Sequence, residues 1–314
     1  MTLQAGRESV AQASEIPGDE NERVRRRVAE LVAIGFCGGP FVAGQGNVTA
    51  FPTPPNRDEV GDLIDAVAAG LERCGSVVAI IPAWDSEPAL QRLETVKSAM
   101  DATSLAVHAT ELPPLAGAVL TSLAGAVAGH AESAGMLFAG LPALERELII
   151  YTWMGSVAGL SKPAPSLMQH VASLWPPTAF GVSLQPDPMI KRLTPNDRAM
   201  PFPTSYRPMS LAVSAHGSGD AEWVKEVVVP GLGTPPVKEV APAPGSARWW
   251  GTAKLVEAVA YPIDVPVVAR RMVQGLSRSL CKWCGELIGS DRCPFCALDR
   301  SFGRTDGTND GGAS

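Results

Sequence analysis

Val77-Val78-Ala79-Ile80-Ile81, closed by Pro82, is the stretch on which the fold turns. A short continuous apolar run rich in β-branched side chains reads as a strand buried on both faces. Working outward, a helix is expected over 57–73 before it and another over 86–100 after it. Leu105-Ala106-Val107 then repeats the strand signal, followed by a helix after Pro114, a helix near 136–147, and the run Leu148-Ile149-Ile150-Tyr151. Strands alternating with amphipathic helices from 56 to 153 predict an α/β fold with a parallel or mixed sheet flanked by helices. A 314-residue chain that is 46% hydrophobic and 18% charged has the composition of a core-forming protein. Pro 28 and Gly 31 exclude a long helical bundle, and a net charge of -6 excludes an electrostatic nucleic-acid binder acting through its whole surface.

The stretch Leu112 to Ala131 carries no charge between Glu111 and Glu132. Its larger apolar residues, Leu112, Leu115, Val119, Leu123 and Val127, form one helical stripe among Ala and Gly. A spanning helix would be lipophilic all round, so a buried helix is expected and no membrane span.

Residues 1–18 read as a disordered tail, and 19–160 as the α/β domain. Asp19 is placed to cap a helix with Val24, Val28, Leu31 and Val32 on one face and a solvated arginine run on the others. From 161 to 276 the chain turns Pro-rich, and this α+β region is expected to wrap over the first domain, because proline lacks the amide donor of helix interiors and central strands. Within it, Leu211-Ala212-Val213 suggests a strand and 219–228 a helix. Two short helices are expected at 252–260 and 264–276, the second opened by Asp264 with Pro266 in its first turn. The N-terminus has no apolar run behind a basic start, which argues for a cytoplasmic protein in which disulfides are disfavoured.

Four of the six cysteines form two knuckles, Cys281-Lys-Trp-Cys284-Gly285 and Cys293-Pro-Phe-Cys296. Two thiolates separated by two residues turn onto one ion, and a hairpin brings the second pair opposite, giving a closed tetrahedral shell. The segment resembles a zinc ribbon, which implies one structural Zn²⁺ held by Cys281, Cys284, Cys293 and Cys296 in a module spanning 277–300, ahead of a disordered tail at 301–314. Rubredoxin-like iron sites share the knuckles, but the gap here is too short for a rubredoxin body. A closed four-sulfur shell leaves no open position for water or substrate. Around it, basic residues exceed acidic ones by three between 270 and 300, and the charge of the zinc tetrathiolate offsets most of that excess. Cys37 and Cys74 read as small core residues.

Three pieces invite a hydrolase. Ala131-Glu132-Ser133-Ala134-Gly135 resembles a nucleophile elbow, with Ala131 where glycine is expected. Gly35-Phe36-Cys37-Gly38-Gly39-Pro40-Phe41 resembles the oxyanion loop of esterases related to hormone-sensitive lipase, with Cys37 where that family places histidine. His216 would be the base and Asp187 or Asp197 its orienting acid, in the chain order of an α/β-hydrolase. His216-Gly217-Ser218-Gly219-Asp220 also resembles the opening of cobalt and iron tetrapyrrole chelatases, although a capped helix start explains the same letters. The other three histidines stand alone, Gly44-Gln45-Gly46-Asn47 is no phosphate loop, and Trp249-Trp250 reads as the edge of a core ahead of a helix.

No catalytic set is complete. The leading expectation is therefore a non-catalytic interaction or assembly protein whose zinc ribbon contacts a protein partner. The alternatives are an ester or amide hydrolase using Ser133 and His216, and a nucleic-acid-associated ribbon protein; no small-molecule substrate can be named.

Overall fold

The computed structural model describes residues 29–36, 41–42, 48–51, 59–173, 175, 178–204 and 207–299. Two sheets carry the architecture. The first is fully parallel, in the order β2-β1-β3-β4, from β1 (Glu30–Ile34), β2 (Val48–Phe51), β3 (Val77–Pro82) and β4 (Leu105–Thr110). Between them run α1 (Glu59–Cys74) and α2 (Ser86–Ala99), the crossover helices that parallel neighbours require.

The central strands β1 and β3 are almost wholly apolar and fully buried because both of their faces are covered. Val32, Ile34, Val77, Ala79 and Ile81 pack with Leu63 and Val67 of α1 and Leu93 and Val96 of α2. Leu31, Ala33, Val78 and Ile80 point the other way, toward α3 (Pro114–Ala128). All fifteen residues of α3 are buried. It touches β1, β2 and β3 on one side and β8 (Met209–His216) and β10 (Leu255–Pro262) of the second sheet on the other. No side chain caps its N-terminus. Burial, not capping or propensity, holds it. Beside it lies α4 (Ala134–Glu145).

The second sheet has the order β7-β6-β5-β10-β8-β9, antiparallel except for the last pair. Its strands are β5 (Ile149–Met154), β6 (Ala179–Gln185), β7 (Met189–Leu193), β8 (Met209–His216), β9 (Val237–Glu239) and β10 (Leu255–Pro262), with α5 (Leu167–Ser173) between β5 and β6. After β8, α6 (Ala221–Trp223) runs through a π-helical stretch, Val224–Val228, into α7 (Val229–Gly231). Trp223, Val224 and Val228 cover the face of this sheet turned away from α3, against Tyr151, Trp153 and Val256. Short α8 (Ser246–Trp250) precedes β10, and α9 (Val265–Met272) follows it. A two-stranded hairpin, β11 (Ser279–Leu280) and β12 (Leu287–Ile288), begins the cysteine module.

Several expectations are corrected. Leu31 and Val32 lie in β1, a central parallel strand, not on a helix; residues 19–28 of that expected helix fall outside the described part. The segment expected as a helix at 252–260 is β10, paired on both sides with β5 and β8. Both errors share a cause: a strand covered on both faces loses its alternation, and short apolar runs then fit either period. The run at 148–151 marks β5, which joins the second, mostly antiparallel sheet. Within the Pro-rich region β6 and β7 form a hairpin; Pro186 and Pro188 occupy its turn, where no ladder donor is needed. Asp264 and Asp220 do cap as expected, accepting from the amides of Val267 and Trp223, though α9 ends at Met272. Among the described residues no helix is long and apolar enough to cross a membrane.

Candidate functional site

In open parallel sheets the crevice for ligands lies outside the carboxyl ends of the strands. Here the segments that follow β3 and β4 meet the chain around α8. Beyond Pro82, Trp84 donates its indole N–H to the carbonyl of Leu112 at 3.2 Å, just past β4. Asp85 pairs with Arg248 of α8 at 3.3 Å. Gly245, at φ 85°, turns the chain into α8 so closely that a Cβ there would stand 3.0 Å from the Trp84 ring. Only a residue at ease in the left-handed region allows that approach. This edge of the sheet is thus lined by Trp84, Asp85, Leu112, Pro114, Gly245 and Arg248.

Behind α8 sits a buried polar network. Glu257, fully buried in β10, accepts from the hydroxyl of Ser246 at 2.6 Å and from the indole N–H of Trp250 at 2.9 Å. His216 Nε2 stands 3.2 Å from the same carboxylate and 3.2 Å from Ser214 Oγ. A buried carboxylate survives only when its oxygens are satisfied in this way. Trp250 is therefore a core residue with a polar tip, as its pair with Trp249 suggested, but it stands ahead of a strand.

Among the described residues, Ser133 and His216 each have other partners and do not pair with one another. The Ser133 hydroxyl accepts from the amide of Met136 as the N-cap of α4 and donates to the carbonyl of Leu287 at 2.6 Å. His216 has Ser214 and Glu257 as partners instead. Asp197 pairs with Lys191 at 2.6 Å. Cys37, Gly38, Gly39 and Pro40 of the supposed oxyanion loop, and Gly44-Gln45-Gly46-Asn47, lie outside the described residues. His108 Nε2 is 2.9 Å from Glu145 Oε1.

The four cysteines do come together. Their sulfurs all lie within 4.8 Å of one another. Two of the pairs, Cys281 with Cys296 and Cys284 with Cys293, are separated by 3.5 and 3.6 Å. A tetrahedron with metal–sulfur bonds of about 2.3 Å has edges of about 3.8 Å, so the cluster fits one ion. The knuckles are built alike. The amides of Gly285 and Ala297 return to the carbonyls of Cys281 and Cys293, and both residues have positive φ, 73° and 61°. The Cys281 thiol is pulled down to about 6, chiefly by the backbone N–H of Cys284, while burial pushes Cys284 and Cys296 up.

The module is sealed against α4. Glu286 accepts from the amide of Gly135 at 3.0 Å, and Ile288, Cys293 and Phe295 join the apolar cluster that contains Leu137 and Leu141. Trp283 remains 77% exposed.

Three open cavities matter among the described residues. One of about 500 Å³ lies between β8, β9 and the helical run 221–231, lined by Val213, Ala215, Val224, Val229, Val237 and Val240, with Lys225 and Glu239 at its edge. A second, of about 600 Å³, is lined by Trp153, Lys254, Arg198 and Asp220. The third, of about 370 Å³, contains Arg146, Arg207 and Arg271. None was visible in the sequence, since each draws on segments far apart in the chain.

No protein-family model matches this chain, and no curated protein sequence matches it. Solved structures do. A DegV family protein from Corynebacterium glutamicum superposes with a TM-score of 0.51 at 15% identity, over 76% of this chain and 97% of that one. A DegV family protein from Thermus thermophilus, described for its fatty acid binding, gives 0.50 at 13% identity, over 74% and 99%. A fatty acid binding DegV family protein from Streptococcus agalactiae gives 0.50 at 10%, over 75% and 99%. These neighbours correct the expectation of an assembly protein that meets a protein partner through its ribbon, and with it the hydrolase and nucleic-acid alternatives. The matched proteins described by a ligand carry a small molecule, and the ribbon's apolar residues Ile288 and Phe295 pack on its own body. The chain has a DegV-like α/β fold bearing a cluster of four cysteines near its C-terminus.

Proposed function

We propose that this protein binds a long-chain fatty acid, with the carboxylate in the crevice bounded by Trp84, Asp85 and Arg248 and the alkyl chain along the apolar layer around α3. The observation that carries this reading is the position of α3: an uncharged, wholly buried helix between two sheets, its first residue, Pro114, beside Gly245, three positions before Arg248. Such a layer offers an alkyl chain an apolar surrounding, and the guanidinium offers the head group a cation. The fatty acid binding of the T. thermophilus and S. agalactiae proteins, which share the fold, supports the ligand class.

A second placement is favoured by the cavity of about 500 Å³ beneath the helical run 221–231. Its volume lies in the range of small-molecule pockets, and the π-helical stretch that lines it is of a kind frequent at functional sites. Lys225, paired with Glu222 at 2.9 Å, would then meet the carboxylate.

Delipidated protein reloaded with a bromine-labelled stearic acid tests both. Native mass spectrometry is expected to show one ligand per chain. In the crevice, bromine quenches the fluorescence of Trp84, and Arg248→Glu weakens binding severalfold. In the cavity, Val229→Arg blocks binding and Arg248→Glu leaves it unchanged. A reloaded protein that carries no fatty acid overturns the reading.

We further propose that the cysteine cluster holds one zinc ion, with a structural role. Four thiolate donors in a closed shell suit Zn²⁺, and they supply no open coordination position.

A further inference from the structure

We propose that Arg146, Arg207 and Arg271 form a second ligand site, one that takes a phosphoryl dianion, either free phosphate or the phosphate of a monoester. The three arginines come from separate places: the end of α4, the segment before β8, and the last turn of α9. They line one cavity of about 370 Å³ with Thr204, Leu148, Ile149, Pro186 and Pro203. Glu147 is the acid set among them. Its carboxylate pairs with Arg207 and stands 4.0 Å from Arg271, so one negative charge is set beside two of the three positive ones. Arg146 turns its Nε to the carbonyl of Pro142, at 3.1 Å.

The balance of charge calls for an anion. Arg207 is partly buried, and burial together with the neighbouring Arg271 lowers its pKa. Like charges gathered in a partly desolvated pocket are relieved by a bound dianion far more than by one carboxylate. Guanidinium groups approaching from different elements, with the Thr204 hydroxyl, suit the several oxygens of a tetrahedral group better than a planar carboxylate. The apolar remainder, Leu148, Ile149, Pro186 and Pro203, offers a wall for the organic part of an ester. The cavity lies at the Ile149 end of β5. The Met154 end pairs with Leu255 of β10, just after α8, so this site is distinct from the crevice and does not depend on fatty-acid binding.

The test uses the full chain and isothermal titration with two probes, inorganic phosphate and phenyl phosphate, at matched ionic strength, with phenol as the uncharged control. Both phosphates are expected to bind once per chain, phenol not at all, and binding is expected to weaken as salt rises. A tighter phenyl phosphate assigns the site to a monoester; equal affinities assign it to free phosphate. Arg271→Gln and Arg146→Gln are each expected to weaken binding about five- to tenfold, which a charged and hydrogen-bonded contact supplies. Arg146 is exposed, so its variant keeps the fold even if that of Arg207 does not. Failure of both probes to bind, or affinities unmoved in Arg146→Gln and Arg271→Gln, overturns the proposal.

Discussion

The hydroxyl of Ser133 lies 2.6 Å from the carbonyl of Leu287, joining the first turn of α4 to the cysteine module across 154 positions of sequence. The same oxygen accepts from the amide of Met136. One small side chain thus caps a helix and fastens a module to it.

Ser133→Ala removes both bonds. The expected loss is about 1–2 kcal/mol, as for a missing N-cap, with the Leu287 carbonyl left short of a donor. Urea denaturation measures it, and Ser133→Thr should recover most of the loss. An alanine variant as stable as the parent would mean that the module does not rest on this contact.

Gly135 faces the same strand. A Cβ there would stand 2.5 Å from the carbonyl of Leu287 and 3.0 Å from Ile288. Gly135→Ala must push β12 away from α4, at a cost of about 1–3 kcal/mol. Proteolysis between residues 275 and 290 should quicken in this variant, read by mass spectrometry of the fragments.

Metal binding at the cysteines should release protons and weaken as pH falls. Thiolates are the ligands, and burial holds Cys284 and Cys296 in the thiol form above the usual range, whereas Cys281 sits at about 6. Competition with a zinc chelator is expected to extract the ion more readily at about pH 6 than at about pH 8, the side on which protons compete for sulfur. The double substitution Cys281→Ser with Cys284→Ser should lower zinc content from about one per chain to near zero, since two of the four ligands are lost.

Glu257 anchors α8 to β10. Replacing it with alanine leaves the Trp250 indole N–H and the Ser246 hydroxyl buried without their acceptor, each at about 1–3 kcal/mol. A combined loss of several kcal/mol is expected in thermal unfolding. Glu257→Gln keeps one acceptor oxygen and should lose less. A negligible effect in Glu257→Ala would show that the network contributes nothing to folding.

Residue order alone sufficed for the parts whose signal is local. The strand at 77–81, the uncharged helix after Pro114, the caps at Asp220 and Asp264, and the paired knuckles are each specified by neighbours within a few positions. There the physics of capping, chain turning and helical spacing acts at short range. What depended on distant partners was closed to that reading. Leu31 and Val32 form a strand because β2 and β3 flank them, and 255–262 becomes a strand because β5 and β8 do. Ser133 has the small neighbours of a nucleophile, yet Leu287 makes it a clasp. Glu257 looks like a surface acid until Ser246 and Trp250 enclose it, and three arginines separated by as many as 125 positions share one cavity. Backbone pairing and burial are properties of contact in space, and contact between remote segments leaves no periodic mark in either segment taken alone.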